Sequence, residues 1–295
     1  MNFNRNTTIF LNGKWLKASD NIGNLLGHSL PSANGVFDGL RAYGTETGTQ
    51  IFKTVEHFTR LQRAASKMHI DLEYTCDELT EIAYQLLEKN NLHDAYIRAL
   101  VYLNSNESTR TSKDIYLLIT AWEWERHSGS DLLKVMISGN QGASRPSPVD
   151  TKLCGNYVSS VFATMEAKSK GFDEALMVDS EGYVTEGPGA NFFYEKDEVL
   201  YTPPSDMVFP GITRATVMGY AREMGFKLVE KRFKAEELIE ADMAFFTSTT
   251  AEITGIRSIG GHDFPMDWED TVGYSLFLMY RQRVVNNEFR DFTLV

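Results

Sequence analysis

Residues 174–204 read EALMVDSEGYVTEGPGANFFYEKDEVLYTPP. Short apolar runs broken by glycine, proline and charged residues predict successive β-hairpins here. Within them Glu186 stands beside Gly187-Pro188-Gly189. Two glycines around a proline make a tight turn that lets backbone or ligand approach closely, although an exposed hairpin acid would read the same. Working outward, LLKVMIS (132–138) is a strand and NYVSSVFATMEAKSKGF (156–172) a helix closed by Gly171. Downstream, TRATVMGYAREMGF (213–226) is a helix ending at Gly225, and DMAFFTSTTAEITGIRSIGG (242–261) a strand running into a polar turn. The second half is therefore strand-rich and wrapped by helices.

The first half has a different texture. TTIFLNGKWLKA (7–18) alternates around Asn12-Gly13 and predicts a hairpin. QIFKTVEHFTRLQRAASKMHI (50–70) predicts a strand and then a helix with Phe58, Leu61, Ala65 and Met68 at helical spacing. CDELTEIAYQLLEKNNL (76–92) predicts an amphipathic helix with Asp77 as its N-cap and Asn90-Asn91 at its end. AYIRALVYLN (95–104) and DIYLLITAWEW (114–124) read as strands. EWERHSGSD (123–131) is polar and without period, so residues 123–132 are taken as a connection between an N-terminal domain, 1–122, and a C-terminal domain, 133–295.

The 295 residues, 42% hydrophobic, can build one large or two medium cores. A net charge of −11 argues against nucleic acid or an anionic membrane as partner. Cys76 and Cys154 show neither CxxC nor metal-ligand spacing, so neither a disulfide framework nor a metal site is expected. The opening MNFNRNTTIFLNGKW has no apolar signal core, and no uncharged apolar run could span a bilayer, so a cytoplasmic protein is expected.

Chemistry gathers in a few short motifs. In DTKLCGNYVSS (150–160) one lysine, Lys152, precedes a Gly-Asn-Tyr step among small and apolar residues, with no acid close along the chain beyond Asp150. Such a setting favours a lysine that loses its proton and attacks a carbonyl. In VFPGITRATVMGYARE (208–223) a helix starts directly after Pro210-Gly211, and the N–H groups of Ile212 and Thr213 there suit a phosphate. A Thr-capped surface helix reads the same way. TSTTAEIT (247–254) ends an apolar strand in hydroxyl residues able to hold an anion, or serving simply as sheet threonines. Arg60, in EHFTRLQRA, would ordinarily be a solvated or salt-bridged helix residue. A reactive lysine, a carboxylate on a glycine turn and a helix start are together the parts that pyridoxal phosphate needs: an amine for its aldehyde, an acid for its ring nitrogen and donors for its phosphate.

The chain resembles the class IV, fold-type IV pyridoxal-phosphate aminotransferases, and most closely the branched-chain amino-acid type. The resemblance is carried in order by FLNGKW, VFDGLRAY, HFTRLQRAA, NNLHDAYIRALV, KLCGNYVSS, EALMVDSEGYVTEGPGANFF, TPP, FPGITRATV and TSTTAEITGI. It implies an α/β (mixed α+β) two-domain fold, a smaller N-terminal domain and a larger strand-rich C-terminal one. It implies Lys152 as Schiff-base lysine and proton shuttle, Glu186 at the pyridinium nitrogen and Tyr157 at the phenolic oxygen. Arg60, Ile212, Thr213, Ser248 and Thr249 match phosphate binders. Phe37, Gly39, Arg41, Tyr96 and Arg98 match the substrate pocket, and the Thr250–Ala251 turn the seat of the α-carboxylate. The implied reaction moves the amino group of an L-branched-chain amino acid to 2-oxoglutarate in a homodimer or higher homo-oligomer. Two departures from the family pattern touch the pocket: Ser32 and His127 stand where tyrosines are expected. A D-amino-acid or amine transaminase, an aminodeoxychorismate lyase and a non-catalytic cofactor binder are the competing readings.

Overall fold

The computed structural model describes residues 4–20, 33–103, 114–125, 129, 131–139 and 150–286. Ser32 and His127 lie outside them. The chain forms two compact units. The first combines Met1–Arg126 with Thr151–Gly155 and Val284–Phe289, and the second His127–Asp150 with Asn156–Arg283 and Arg290–Val295.

The first unit contains β1 (Thr8–Leu11), β2 (Lys14–Lys17), β3 (Val36–Thr45), β4 (Gly48–Ile51), α1 (Thr54–Lys67), α2 (Cys76–Asn90), β5 (Ala95–Leu103) and β6 (Ile115–Glu123). Its sheet runs β2-β1-β6-β5-β3-β4 with every pair antiparallel. The expected β1–β2 hairpin turns at Asn12 and Gly13, both at positive φ, as a two-residue turn between right-twisted strands requires. One face of this sheet buries Val36, Leu40, Ala42, Ile97 and Ile119 with Phe58, Leu61 and Ala65 of α1. The α2 cap differs from expectation: Thr75, not Asp77, is the N-cap. Thr75 Oγ1 accepts the Glu78 N–H (3.2 Å) and the Glu78 carboxylate accepts the Thr75 N–H (2.8 Å). Two orphan donors are satisfied at once, which one aspartate a residue or two further on could not do.

The second unit contains β7 (Leu133–Ser138), α3 (Val158–Ser169), β8 (Glu174–Met177), β9 (Glu186–Gly187), β10 (Ala190–Lys196), β11 (Val199–Thr202), α4 (Ile212–Glu223), β12 (Lys227–Glu230), β13 (Met243–Ser248), β14 (Glu252–Ile259), β15 (His262–Asp263) and α5 (Val272–Val285). The strand order is β12-β11-β10-β13-β14-β7-β8, with β9 on β10 and β15 on β14. The expected hairpins form its antiparallel middle. Among the described residues, parallel pairing occurs where a helix intervenes or the chain returns from afar: β11–β12 around α4, β7–β8 around α3, and β14–β7. Phe193 of β10 stacks on Phe245 of β13 with centroids 5.1 Å apart, both rings fully buried. Each such ring contributes about 1.5–3 kcal/mol, and together they lock the register that sets Asn191 opposite Thr247. The α4 helix is no surface helix. Most of its residues are buried, Thr213 included, and its N-cap is Gly211, which supplies no side chain. Among the described residues no helix is long and apolar enough to cross a membrane.

Candidate active site

In the first unit the segment around Lys152 is stitched to the start of β3. Phe37 N–H donates to Lys152 O (3.1 Å), Cys154 N–H to Gly35 O (2.8 Å), and Leu153 bridges Val36. This pairing, and not nearness in sequence, fixes the lysine. Its Nζ stands 5.0 Å from the centroid of the Phe37 ring. Alternation along β3 puts Phe37, Gly39 and Arg41 on one face. The register places Gly39 opposite Arg98 and Arg41 opposite Tyr96, so those side chains share that face. The next strand adds Trp122, opposite Tyr96, a residue that sequence reading did not single out. The Arg98 guanidinium lies 5.8, 5.5 and 5.3 Å from the Phe37, Tyr96 and Trp122 ring centroids. Its Nε is buried with no hydrogen-bond partner among the described residues. Arg41, also buried, donates to the Trp124 and Glu125 carbonyls (3.4 and 3.3 Å). This is an amine beside an aromatic wall containing two cations, suited to a ligand that carries both apolar and anionic groups.

Arg60 is placed differently. From α1 its Nε and Nη2 reach the Asp38 carboxylate at 2.7 and 2.9 Å, while His57 Nδ1 lies 2.8 Å from Asp38 Oδ1. By strand alternation Asp38 points to the face opposite Phe37 and Gly39. Asp38 and His57 are fully buried. Burial would raise the Asp38 carboxyl, but the adjoining Arg60 and His57 outweigh it and hold it well below the ordinary range. Burial likewise depresses His57, against the pull of Asp38. Both groups bind protons less readily folded than unfolded, so their stabilisation is present at neutral pH and lost on acidification. The His57 share begins to disappear below pH 6.5, its unperturbed value, and the Asp38 share below 3.8. Thermal melts should show stability falling below pH 6.5, by at most about 1.4 kcal/mol per pH unit for each group. His57→Gln should flatten the upper part of that slope, and an unchanged slope would contradict the assignment.

In the second unit three polar side chains form a row across the sheet. Glu186 on β9 faces Asn191 on β10, which faces Thr247 on β13. All three are buried. Glu186 Oε2 accepts from Asn191 Nδ2 (3.1 Å) and from the Phe209 N–H (3.2 Å). The Thr247 hydroxyl is buried with no partner among the described residues. The α4 helix begins next to this row. Because Gly211 caps it without a side chain, no side-chain acceptor caps the first-turn N–H groups, and the helix end is open to an anion. Arg214 ties that end down through Pro203 O (2.9 Å) and Glu230 (2.8 Å). After β13, Ser248 Oγ accepts the Ala251 N–H (3.0 Å) and lies 3.2 Å from Thr250 Oγ1. Glu252 closes the turn in the left-handed region at φ 56°, its carboxylate 3.3 Å from Arg281 of α5. Tyr157 ends a 3-10 turn and is the N-cap of α3, half-buried.

The first unit thus gathers Lys152 with Phe37, Gly39, Arg41, Tyr96 and Arg98. The second gathers Glu186 and the Ile212–Thr213 helix start, with the turn formed by Ser248, Thr249, Thr250 and Ala251 following β13 opposite Asn191. Each unit by itself offers part of what pyridoxal phosphate needs: the first an amine for the aldehyde, the second a buried carboxylate for the ring nitrogen and a helix start capped only by glycine for the phosphate.

Comparison with known proteins agrees. Residues 35–259 match the sequence profile described as amino-transferase class IV. The chain is 39% identical over 264 residues to the branched-chain-amino-acid aminotransferase of Pseudomonas aeruginosa, covering 87% of this chain and 86% of the relative. Among solved structures, the branched-chain aminotransferase of Thermoproteus uzoniensis with norvaline gives a TM-score of 0.89 at 32% identity, covering 96% of both chains. The branched-chain amino acid aminotransferase of Thermobaculum terrenum in its PLP-form gives 0.88 at 29% identity, covering 98% of this chain and 96% of that one.

Proposed function

The chain belongs to the class IV aminotransferases, and from that membership we propose that it is a pyridoxal-phosphate-dependent transaminase of branched-chain L-amino acids, with 2-oxoglutarate as acceptor. The observation that carries the reading is Lys152, paired through its main chain to β3 and set over Phe37 beside the Arg98 wall.

Pyridoxal phosphate, when bound, withdraws electrons from the substrate α-carbon and so makes its proton acidic. Lys152 Nζ would take the α-carbon's proton as general base and return it as general acid on the far side of the substrate nitrogen. Glu186 would pair with the ring nitrogen and keep it protonated. The Ile212 and Thr213 N–H groups would hold the phosphate with Ser248 and Thr249, and Tyr157 would donate to the phenolic oxygen. Arg60, whose guanidinium Asp38 orients, would add a cation for the phosphate. Phe37, Gly39, Arg41, Tyr96 and Arg98 shape the substrate pocket. The Thr250–Ala251 turn receives the α-carboxylate, Ala251 exchanging its bond to Ser248 Oγ for the ligand.

The test is a half-reaction. Holoenzyme is mixed with L-leucine, L-glutamate or D-alanine without oxo acid, and the visible absorption of bound cofactor is followed. Rapid bleaching with both L-amino acids is expected. Bleaching with D-alanine alone would transfer the activity to D-amino acids, and continued turnover without oxo acid would indicate a lyase.

The pocket also yields a sharp prediction. A Cβ on Gly39 would lie 1.8 Å from the Tyr96 hydroxyl, so Gly39→Ala must displace that phenol. We expect kcat/KM for L-leucine to fall about 10–200-fold with cofactor affinity unchanged, and an unaltered leucine preference would remove Tyr96 from the pocket.

We further propose a cytoplasmic homodimer or higher homo-oligomer. Support comes from α3, where Val158, Val161, Phe162 and Met165 form one apolar stripe, each 55–62% exposed. Light scattering checks it, a monomeric mass being the contrary result.

A further inference from the structure

Asn191 has no part in the chemistry just described, yet it makes the bonds that aim Glu186. Its side chain is buried between two elements. Through Nδ2 it donates to Glu186 Oε2 (3.1 Å) and to the Phe209 carbonyl (2.8 Å). Phe209 returns its own N–H to the same Glu186 oxygen at 3.2 Å. The three residues form a closed triangle. On its other side Asn191 Oδ1 packs against Gly211, where a Cβ would come within 2.0 Å. The amide therefore touches both the carboxylate of β9 and the turn that opens α4. The Phe192 and Phe193 rings beside it, fully buried, fix β10 and leave the amide little freedom.

We infer that Asn191 is a positioning residue that orients the Glu186 carboxylate and, through the Phe209–Gly211 turn, the start of α4, so that the ring-nitrogen and phosphate contacts are set as one unit. The inference rests on the proposed roles of Glu186 and the α4 start. Two N–H donors on one oxygen fix the rotation of the carboxylate and favour its ionised form. Asparagine suits the place because one amide nitrogen has two hydrogens to give. Aspartate has the same shape and no hydrogen to give when ionised, and it would set a second negative charge against Glu186. The glycine at 211 then has a reason beyond its cap geometry: a side chain there would occupy the position of the Asn191 oxygen.

The experiment is a double-mutant cycle on the holoenzyme. Asn191→Ala, Glu186→Gln and the pair are compared by the leucine half-reaction rate, the KM for leucine and the dissociation constant of pyridoxal phosphate from the apo form. In the wild-type background Asn191→Ala should slow the half-reaction about 10–100-fold, leave KM within about twofold and weaken cofactor binding severalfold. In the Glu186→Gln background it should slow the reaction less than about threefold further, because the group it orients is already changed. Equal losses in both backgrounds, or no loss in the wild type, would overturn the inference. Should Glu186→Gln alone leave the rate unchanged, the role of Glu186 falls first and that of Asn191 with it, an outcome the cycle separates from the other two. Asn191→Asp, equal in volume, serves where the alanine variant does not fold. It should lose at least as much rate, and wild-type rates in that variant would count against the inference.

Discussion

Lys152→Ala is expected to leave a folded protein with essentially no transaminase activity, the leucine half-reaction falling by at least about 10^4-fold. The fold should survive because the lysine is held by its main chain. Phe37 N–H to Lys152 O, the Leu153–Val36 bridge and Cys154 N–H to Gly35 O are all backbone contacts that alanine keeps. The side chain gives up its placement over Phe37, an interaction of about 0.5–2 kcal/mol. A thermal midpoint near that of the wild type, together with lost cofactor absorbance and lost turnover, would identify the amine itself as the missing part. Turnover within tenfold of wild type would remove Lys152 from the chemistry.

Glu186→Gln should lower kcat about 10^2–10^3-fold while cofactor affinity changes less than about tenfold. The substitution preserves volume in a buried place, and the glutamine oxygen can accept the Asn191 and Phe209 donors as Oε2 does. With its oxygen so occupied, glutamine turns its NH2 the other way. That group is a donor, unable to hold a proton on a ring nitrogen and bringing no negative charge to stabilise one. The proton-transfer step should therefore suffer more than binding, and a larger kinetic isotope effect with α-deuterated leucine would mark it. If kcat stays within a few-fold of wild type, the ring nitrogen has another partner.

The fold was legible wherever the signal was local. The Asn12-Gly13 turn, the stops at Gly171 and Gly225, and the hairpins of 174–204 follow from residues whose own backbone preferences decide the shape. Asn91, at φ 51°, ends α2 for the same reason. The α2 start was misread by two residues because Asp77 and Thr75 are both good caps, and Glu78 at the third position selects threonine. The site was legible as motifs and opaque as contacts. Nothing near Arg60 in sequence announces that Asp38, 22 residues earlier, takes up its guanidinium. Trp122 enters the Arg98 wall only through the β5–β6 register. Asn191 looks like one more polar residue after a glycine turn until β9 folds back beside it. The α4 start reads as a surface helix because the buried faces come from β12 and β13, elements that lie later in the chain.

The path of the chain has a consequence for dividing it. The short segment carrying Lys152 belongs to the first compact unit, although the polypeptide has already entered the second when it arrives there. Severing the gene near residue 126 would give one fragment without its amine and with the β3 border bare where residues 151–155 now pair, an open edge inviting aggregation. The complementary fragment would carry the amine with no strand to hold it. Neither fragment alone would hold the amine in place, so a cut near residue 126 is expected to abolish the activity of each half by itself.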